Sequence, residues 1–196
     1  MDSTRPQIFV LSGPNGAGKT TAAGVVLPEQ LGIDQFVNAD LIASGLSPFA
    51  PERMAFRAGR LMLERIRDLR SRGESFGFET TLATRSYVPF LRDARAAGYA
   101  VDLVYIWLSS VDLALSRVRG RVAQGGHDVP ASVVERRYYR GLRNLFEIYL
   151  PHCDLWTIGD NSGDELITIA RGGLDDDTTV VDESRWATIR SMVDER

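Results

Sequence analysis

The stretch LSGPNGAGKTTAAG, residues 11–24, restricts the fold of this 196-residue chain more than any other segment. Gly13, Gly18, Lys19 and Thr20 complete the spacing G-x-x-x-x-G-K-[ST]. Ahead of it, QIFVLSG is a short apolar, β-branched run and reads as a buried strand. Behind it, the pattern predicts a helix from about residue 19 to 30. A glycine-rich turn in that position lets successive backbone N–H groups curl around a phosphate at the positive end of a helix dipole. The expected nucleotide-binding residues are therefore Gly13, Pro14, Asn15, Gly16, Ala17, Gly18, Lys19, Thr20 and Thr21. Lys19 would reach the terminal phosphates and the Thr20 hydroxyl would ligate Mg²⁺. The expected cofactors are ATP or GTP with Mg²⁺.

Of 23 basic residues, 22 are arginine and the single lysine is Lys19. A chain that uses arginine everywhere else marks a position where a compact ammonium is required and a planar fork does not serve. The net charge of -3 argues against a general nucleic-acid or membrane-surface binder. One cysteine, Cys153, precludes an internal disulfide and suits a reducing compartment. MDSTRPQIFVLSG has no apolar stretch with a cleavage site, and no apolar run approaches the ~18 residues of a membrane span. A cytoplasmic protein without a membrane partner is the expectation.

Strand and helix patterns alternate along the chain. QFVNAD, ESFGFETT, YAVDLVYIWLSS and CDLWTIGDNSG read as further strands, making five. Helices are predicted over residues 51–72, 86–97, from about 112, and 130–149, the last two separated by QGGHDVP. Residues 164–196 read as two short strands flanking GGLDDD and then a helix. Such alternation predicts one α/β domain, a parallel sheet with right-handed crossovers and helices on both faces.

Two acidic residues end neighbouring strands, where open α/β sheets bind ligands. Asp40 is a candidate proton acceptor from a substrate hydroxyl, or else the N-cap of the helix at LIASGL. Glu79 is a candidate for holding the acceptor or the metal's water shell, or else a solvated strand-end charge. Thr80 and Thr81 suit an acceptor contact or simply a strand. An arginine cluster follows in LSRVRGRVAQGGHDVPASVVERRYYRGLRN. From it Arg117, Arg121 and Arg137 are the expected clamps on transferring phosphate, closing as a lid. His127 is read as shaping or lining the loop between the lid helices, or else as a catalytic histidine; Asn161 as a turn residue, or else an adenine-edge contact; and GLDDDTT as a solvated hairpin turn, or else a cation site. Two histidines and one cysteine make no zinc constellation.

Taken in order, GPNGAGKTT, NAD, FETTLA, YIWLSS, RVAQGGHDVP with RRYYRGL, and DNSG resemble the zeta toxin family of P-loop kinases over nearly all of residues 7–163. The resemblance implies ATP or GTP with Mg²⁺, and an acceptor such as UDP-N-acetylglucosamine, phosphorylated on a sugar hydroxyl. By position, Lys19 and Thr20 match the nucleotide loop, Asp40 the catalytic base, and Glu79 and Thr80 the acceptor-side acid and threonine. The lid arginines match as a cluster, and the arginine that follows the third strand in the family is delayed here to Arg85. An antitoxin protein becomes a candidate partner.

The expected fold class is α/β: a three-layer P-loop NTPase/kinase fold with a mainly parallel five-stranded sheet. A helical lid would cover about residues 112–143, and a small C-terminal hairpin–helix appendage about 164–196, within one domain over 1–196. The expected activity is Mg-dependent transfer of a γ-phosphoryl group to a hydroxyl of a small acceptor. Two other readings stand beside it. One changes the acceptor to an unrelated metabolite or a nucleic-acid end, against which the acidic charge counts. The other is a nucleotide-dependent switch, which would not need two strand-end carboxylates together. No base-reading N-K-x-D of a GTPase is present.

Overall fold

A computed structural model describes residues 5–126 and 128–194. Its centre is β1 (Gln7–Ser12), flanked by β3 (Phe76–Thr80) and β4 (Ala100–Trp107), all parallel. Beyond β3 lies β2 (Phe36–Val37), and beyond β4 lies β5 (Leu155–Asp160), both again parallel. Then β6 (Ile167–Gly173) and β7 (Thr179–Val180) continue the sheet antiparallel. The order is β2-β3-β1-β4-β5-β6-β7.

The sheet thus has seven strands, not the five expected. The C-terminal hairpin is not an appendage beside the sheet but its continuation. The reason lies in the backbone: without β6, the outer edge of β5 would present a row of unpaired N–H and C=O groups. Residues 174–178, with their three aspartates, form the turn between β6 and β7, as the sequence suggested.

Strand alternation divides the core between two faces. Ile8 and Val10 of β1 point into one cluster, with Met62, Ile66 and Leu69 of α3 (Ala55–Ser71) and Phe90, Leu91 and Ala94 of α4 (Tyr87–Ala96). Phe9 and Leu11 point into the other, which takes Ala23 of α1 (Lys19–Val25) and Ala114 and Val118 of α5 (Val111–Ala123). Val134 and Tyr138 of α6 (Ala131–Asn144) complete that second cluster. The remaining helices are α2 (Ala39–Leu46) and α7 (Glu183–Asp194). Among the described residues, no helix is long and apolar enough to cross a membrane.

Two helices are shorter than their sequence patterns. The helix expected over 19–30 stops at Val25 and continues as a π-helical turn, Val26–Gln30. Pro28 lies in that turn, and a proline ring there displaces the carbonyl four residues back and donates no hydrogen bond. The helix expected over 130–149 likewise ends at Asn144 and passes into a π-helical turn, Leu145–Tyr149. Pro151 follows immediately, inside a short 3₁₀ turn. His127, assigned by sequence to the loop between α5 and α6, lies outside the described residues.

One glycine decides how closely α6 approaches the sheet. A Cβ added at Gly141 would stand 2.2 Å from the Thr81 carbonyl oxygen, so only glycine lets α6 rest on the chain leaving β3. Asn144 Nδ2 donates to Leu82 O at 2.7 Å, and the Tyr149 hydroxyl donates to Thr84 O. Residues 81–84 are thereby fixed against α6.

Candidate functional site

The nucleotide loop leaves β1 at Ser12 and turns into α1 at Lys19. Its backbone is left-handed at Gly13 (φ 141°), Gly16 (φ 82°) and Gly18 (φ 86°), which side chains disfavour. Space is equally restrictive: a Cβ at Gly13 would stand 2.2 Å from Ile106 O, and one at Gly18 2.9 Å from Asn161 Nδ2. Asn161 does more than turn the chain. Its amide Nδ2 donates to Ala17 O at 2.9 Å, while its backbone N–H donates to Trp107 O at 3.0 Å. The loop is therefore fastened to the end of β4. Asn161→Ala removes that fastening, and titration of a fluorescent ATP analogue should show affinity weakened about 5- to 10-fold, the worth of one such bond. Unchanged affinity would mean the loop holds its shape unaided.

Lys19 is buried, 6% exposed. Its Nζ donates to Pro14 O at 2.9 Å and lies 3.5 Å from Glu79 Oε1. Burial lowers the Lys19 pKa, opposed by the Glu79 and Asp40 carboxylates and assisted by Arg121. The unfolded chain thus holds this proton more tightly than the folded one. This group's contribution to stability rises as pH climbs from the lowered value through the ordinary 10.5. A bound triphosphate would reverse the cost by supplying the missing negative charge.

Glu79 joins the loop to β2 and α2. Its Oε2 accepts from the Thr20 hydroxyl at 2.7 Å and from Asn38 Nδ2 at 2.6 Å. Asn38 also caps α2: its Oδ1 accepts from the backbone N–H of Asp40 at 2.7 Å and of Leu41 at 3.2 Å. The cap is therefore Asn38, and Asp40 sits within the first helical turn. The sequence reading passed over Asn38, although an asparagine two residues before an acid at a helix start is a recognisable cap.

These groups line a cleft of about 170 Å³. Its polar and charged lining includes Asn15, Lys19, Asn38, Asp40 and Glu79, with Arg137 from α6. Thr80, Thr81, Thr84, Met62 and Tyr87 line it as well. Thr80 is buried and its hydroxyl accepts from Leu82 N at 3.1 Å. It thereby holds the bend where Leu82, wholly buried, takes a left-handed φ of 55°.

The cleft suits a nucleotide and its metal. The Thr20 hydroxyl and Glu79 carboxylate are adjacent hard-oxygen donors of the kind Mg²⁺ takes. Asn15 Oδ1 is a buried acceptor with no hydrogen-bond donor among the described residues, in the wall of the same cleft. Leaving such an atom unmatched costs about 1–3 kcal/mol, which a ligand donor would recover. Among the described residues, no three His, Cys, Asp or Glu side chains gather into a metal cluster of their own. Cys153 is buried with its thiol pushed up to about 12, chiefly by burial, and is no nucleophile.

The three arginines chosen from sequence converge on the loop by different routes. Arg137 lines the cleft directly. Arg117 lies beside Gly16, where an added Cβ would come 3.1 Å from its own Cβ, and its Nη2 donates to Ser162 O at 3.2 Å. Arg121 acts on Lys19 through space. Arg136, Arg140 and Arg143, from the same cluster, line hollows outside the cleft.

A further network escaped the sequence reading. Buried Asp160 accepts from Ser162 N at 2.9 Å, from the Ser162 hydroxyl, and from Arg185 Nε at 2.9 Å. Arg185 also binds Asp182, whose carboxyl its hydrogen bonds hold below the ordinary range. Helix α7 thus grips the segment that carries Asn161.

A family model described as an AAA domain matches residues 8–141. An uncharacterized protein of Haemophilus influenzae is 29% identical over 126 residues, 64% of this chain and 88% of its own length. Among solved structures, the complex of AvrRxo1-ORF1 with AvrRxo1-ORF2 and ATP matches with a TM-score of 0.78 at 20% identity. The match covers 97% of this chain, which spans 65% of the length of that one. A structure from the PezAT chromosomal toxin–antitoxin system of Streptococcus pneumoniae matches at 0.62 and 21% identity, over 82% of this chain and 70% of that one. A gluconokinase from Sinorhizobium meliloti matches at 0.52 and 18% identity, over 98% and 95%. What these structures share with this chain is the P-loop kinase fold.

Proposed function

The chain belongs to the AAA domain family, and from that premise we propose that it transfers the γ-phosphoryl group of ATP or GTP to a hydroxyl of a small acceptor. One observation carries the reading: Lys19, Asp40, Glu79 and Arg137 meet in a single cleft beside the nucleotide loop. A passive nucleotide switch has no use for a second carboxylate there.

Backbone N–H groups of residues 15–20 and the Lys19 ammonium hold the β- and γ-phosphates. Thr20 with Glu79 would hold Mg²⁺, which would supply charge neutralisation at the phosphate oxygens. The contact of Glu79 with Thr20 favours a place in the metal's shell over the acceptor side. Asp40 takes the proton of the acceptor hydroxyl as its oxygen bonds to the γ-phosphorus. The bond from that phosphorus to the β–γ bridging oxygen breaks, and the nucleoside diphosphate leaves with the electron pair. Arg137, backed by Arg117 and Arg121, neutralises charge on the transferring group, with residues 112–143 closing as the lid of one kinase domain.

For the acceptor we favour a UDP-N-acetylamino sugar, on the motifs shared with the zeta toxin family and the structural likeness to a PezAT component. That likeness, and the AvrRxo1-ORF1 complex, make an antitoxin-like protein the natural partner to seek. A cytoplasmic setting supplies the nucleotide. The decisive experiment is phosphoryl transfer from γ-labelled ATP to UDP-N-acetylglucosamine, beside free sugars, other nucleotides and an oligonucleotide. Labelled UDP-sugar made by the native chain alone, not by Lys19→Ala, supports the reading. Label on another acceptor keeps the kinase and discards this substrate; label on none, with ATP still bound, favours the nucleotide-dependent switch or an acceptor outside the panel.

A further inference from the structure

Helix α6 carries basic groups on two flanks. Arg137 faces the cleft, whereas Arg136, Arg140 and Arg143, at helical spacings of four and three, share another face. Because Gly141 seats α6 on Thr81, and Asn144 and Tyr149 bind the carbonyls of Leu82 and Thr84, Arg85 is brought beside that second face. Arg85, Arg140 and Arg143 together line a hollow of about 500 Å³, whose wall includes Thr84. Thr84 also lines the catalytic cleft, so the two spaces adjoin.

The charge here is unbalanced. Among the described residues, no carboxylate lies within ion-pair distance of Arg85, Arg140 or Arg143, whereas Arg65, Arg72, Arg95 and Arg185 each have such a partner. Glu147 and Asp194, and Glu135, line neighbouring hollows with these arginines, but among the described residues no acid lines this one. A chain with 26 acidic residues against 23 basic ones does not lack partners. Three guanidinium groups around one hollow repel each other, and an arrangement of that kind matches a multiply charged oxyanion, whose oxygens accept paired N–H donors.

We propose that Arg85, Arg140 and Arg143 form a second anion seat, distinct from the nucleotide loop, that holds a phosphate or diphosphate of the acceptor while its hydroxyl lies at Asp40. The proposal rests on the kinase reading for the identity of the ligand, and it narrows the acceptor to phosphorylated molecules. An unphosphorylated sugar or sugar acid of gluconate size would leave the seat empty.

The test is calorimetric titration of inorganic pyrophosphate, and separately of UDP, into protein already saturated with Mg²⁺ and the non-hydrolysable analogue AMP-PNP. Both probes are expected to bind, and Arg85→Gln/Arg140→Gln to weaken each at least about tenfold. Both residues are exposed, so this pair leaves the core untouched. Arg143→Gln repeats the measurement should the pair melt early. Equal affinity in native and variant protein, or no binding by native protein, overturns the seat. UDP bound without pyrophosphate, and indifferent to the substitutions, does the same by locating recognition on the uridine. The same titrations in a Lys19→Ala background need no nucleotide. Failure of the kinase reading appears instead as native protein that binds AMP-PNP yet transfers no label from γ-labelled ATP, while the pyrophosphate result stands separately.

Discussion

Asp40→Asn is expected to lower phosphoryl transfer by on the order of a hundredfold or more while nucleotide still binds. The substitution is close to isosteric and falls in the first turn of α2, whose cap is supplied by Asn38 and stays in place. What disappears is the carboxylate that the proposed mechanism uses to take the acceptor's proton. The effect should fall on kcat, with affinity for a fluorescent ATP analogue within about threefold, because the backbone N–H groups and Lys19 do the holding. One side effect follows from electrostatics: Asp40 is among the charges that support the Lys19 ammonium, so the lysine pKa should fall further. Native turnover in Asp40→Asn would remove Asp40 as base and leave Glu79 as the remaining acid of the cleft.

Lys19→Arg is expected to be nearly as damaging, by about a hundredfold or more in kcat/KM. The charge is retained, so the loss would come from shape alone. Lys19 is wedged between Pro14 O and Glu79 Oε1 at 2.9 Å and 3.5 Å, and is buried. A planar fork carries five donors where one compact group fits, and it would collide with the loop carbonyls or push Glu79 off Thr20. Steady-state kinetics with melting temperature as control would decide the matter, since a folded but inactive variant is the expected outcome. A variant retaining a tenth of native activity would show that charge alone suffices, and the singular lysine would lose its significance.

The features that bear on phosphate chemistry were legible because they are local. Glycines at fixed spacing between a strand and a helix announce the loop, and acids at strand ends announce Asp40 and Glu79. What the sequence hid is long-range. Asn161 lies 144 residues from the carbonyl it holds, and Asp160 depends on an arginine 25 residues away on another helix. A short polar run such as DNSG looks the same whether it turns in solvent or clasps a loop. The arginine cluster was visible, but its division between cleft and outer hollow depends on how α6 is seated, and one glycine against Thr81 decides that. The two short strands flanking GGLDDD were legible, but their pairing with the edge of β5 was not, because strand pairing leaves no trace in local composition. The early ends of α1 and α6 trace to Pro28 and Pro151, each of which lies in the turns that follow its helix.

The clasp across the nucleotide loop also has a consequence in time. A ribosome adds roughly 5–20 residues per second, so the glycine-rich loop is made roughly 7–30 s before the asparagine that fastens it. The strand β4, against which Gly13 packs, arrives within that same interval. A nascent chain therefore carries its nucleotide loop unfastened until Asn161 has been made. The order of synthesis sets a delay between making the loop and arming it.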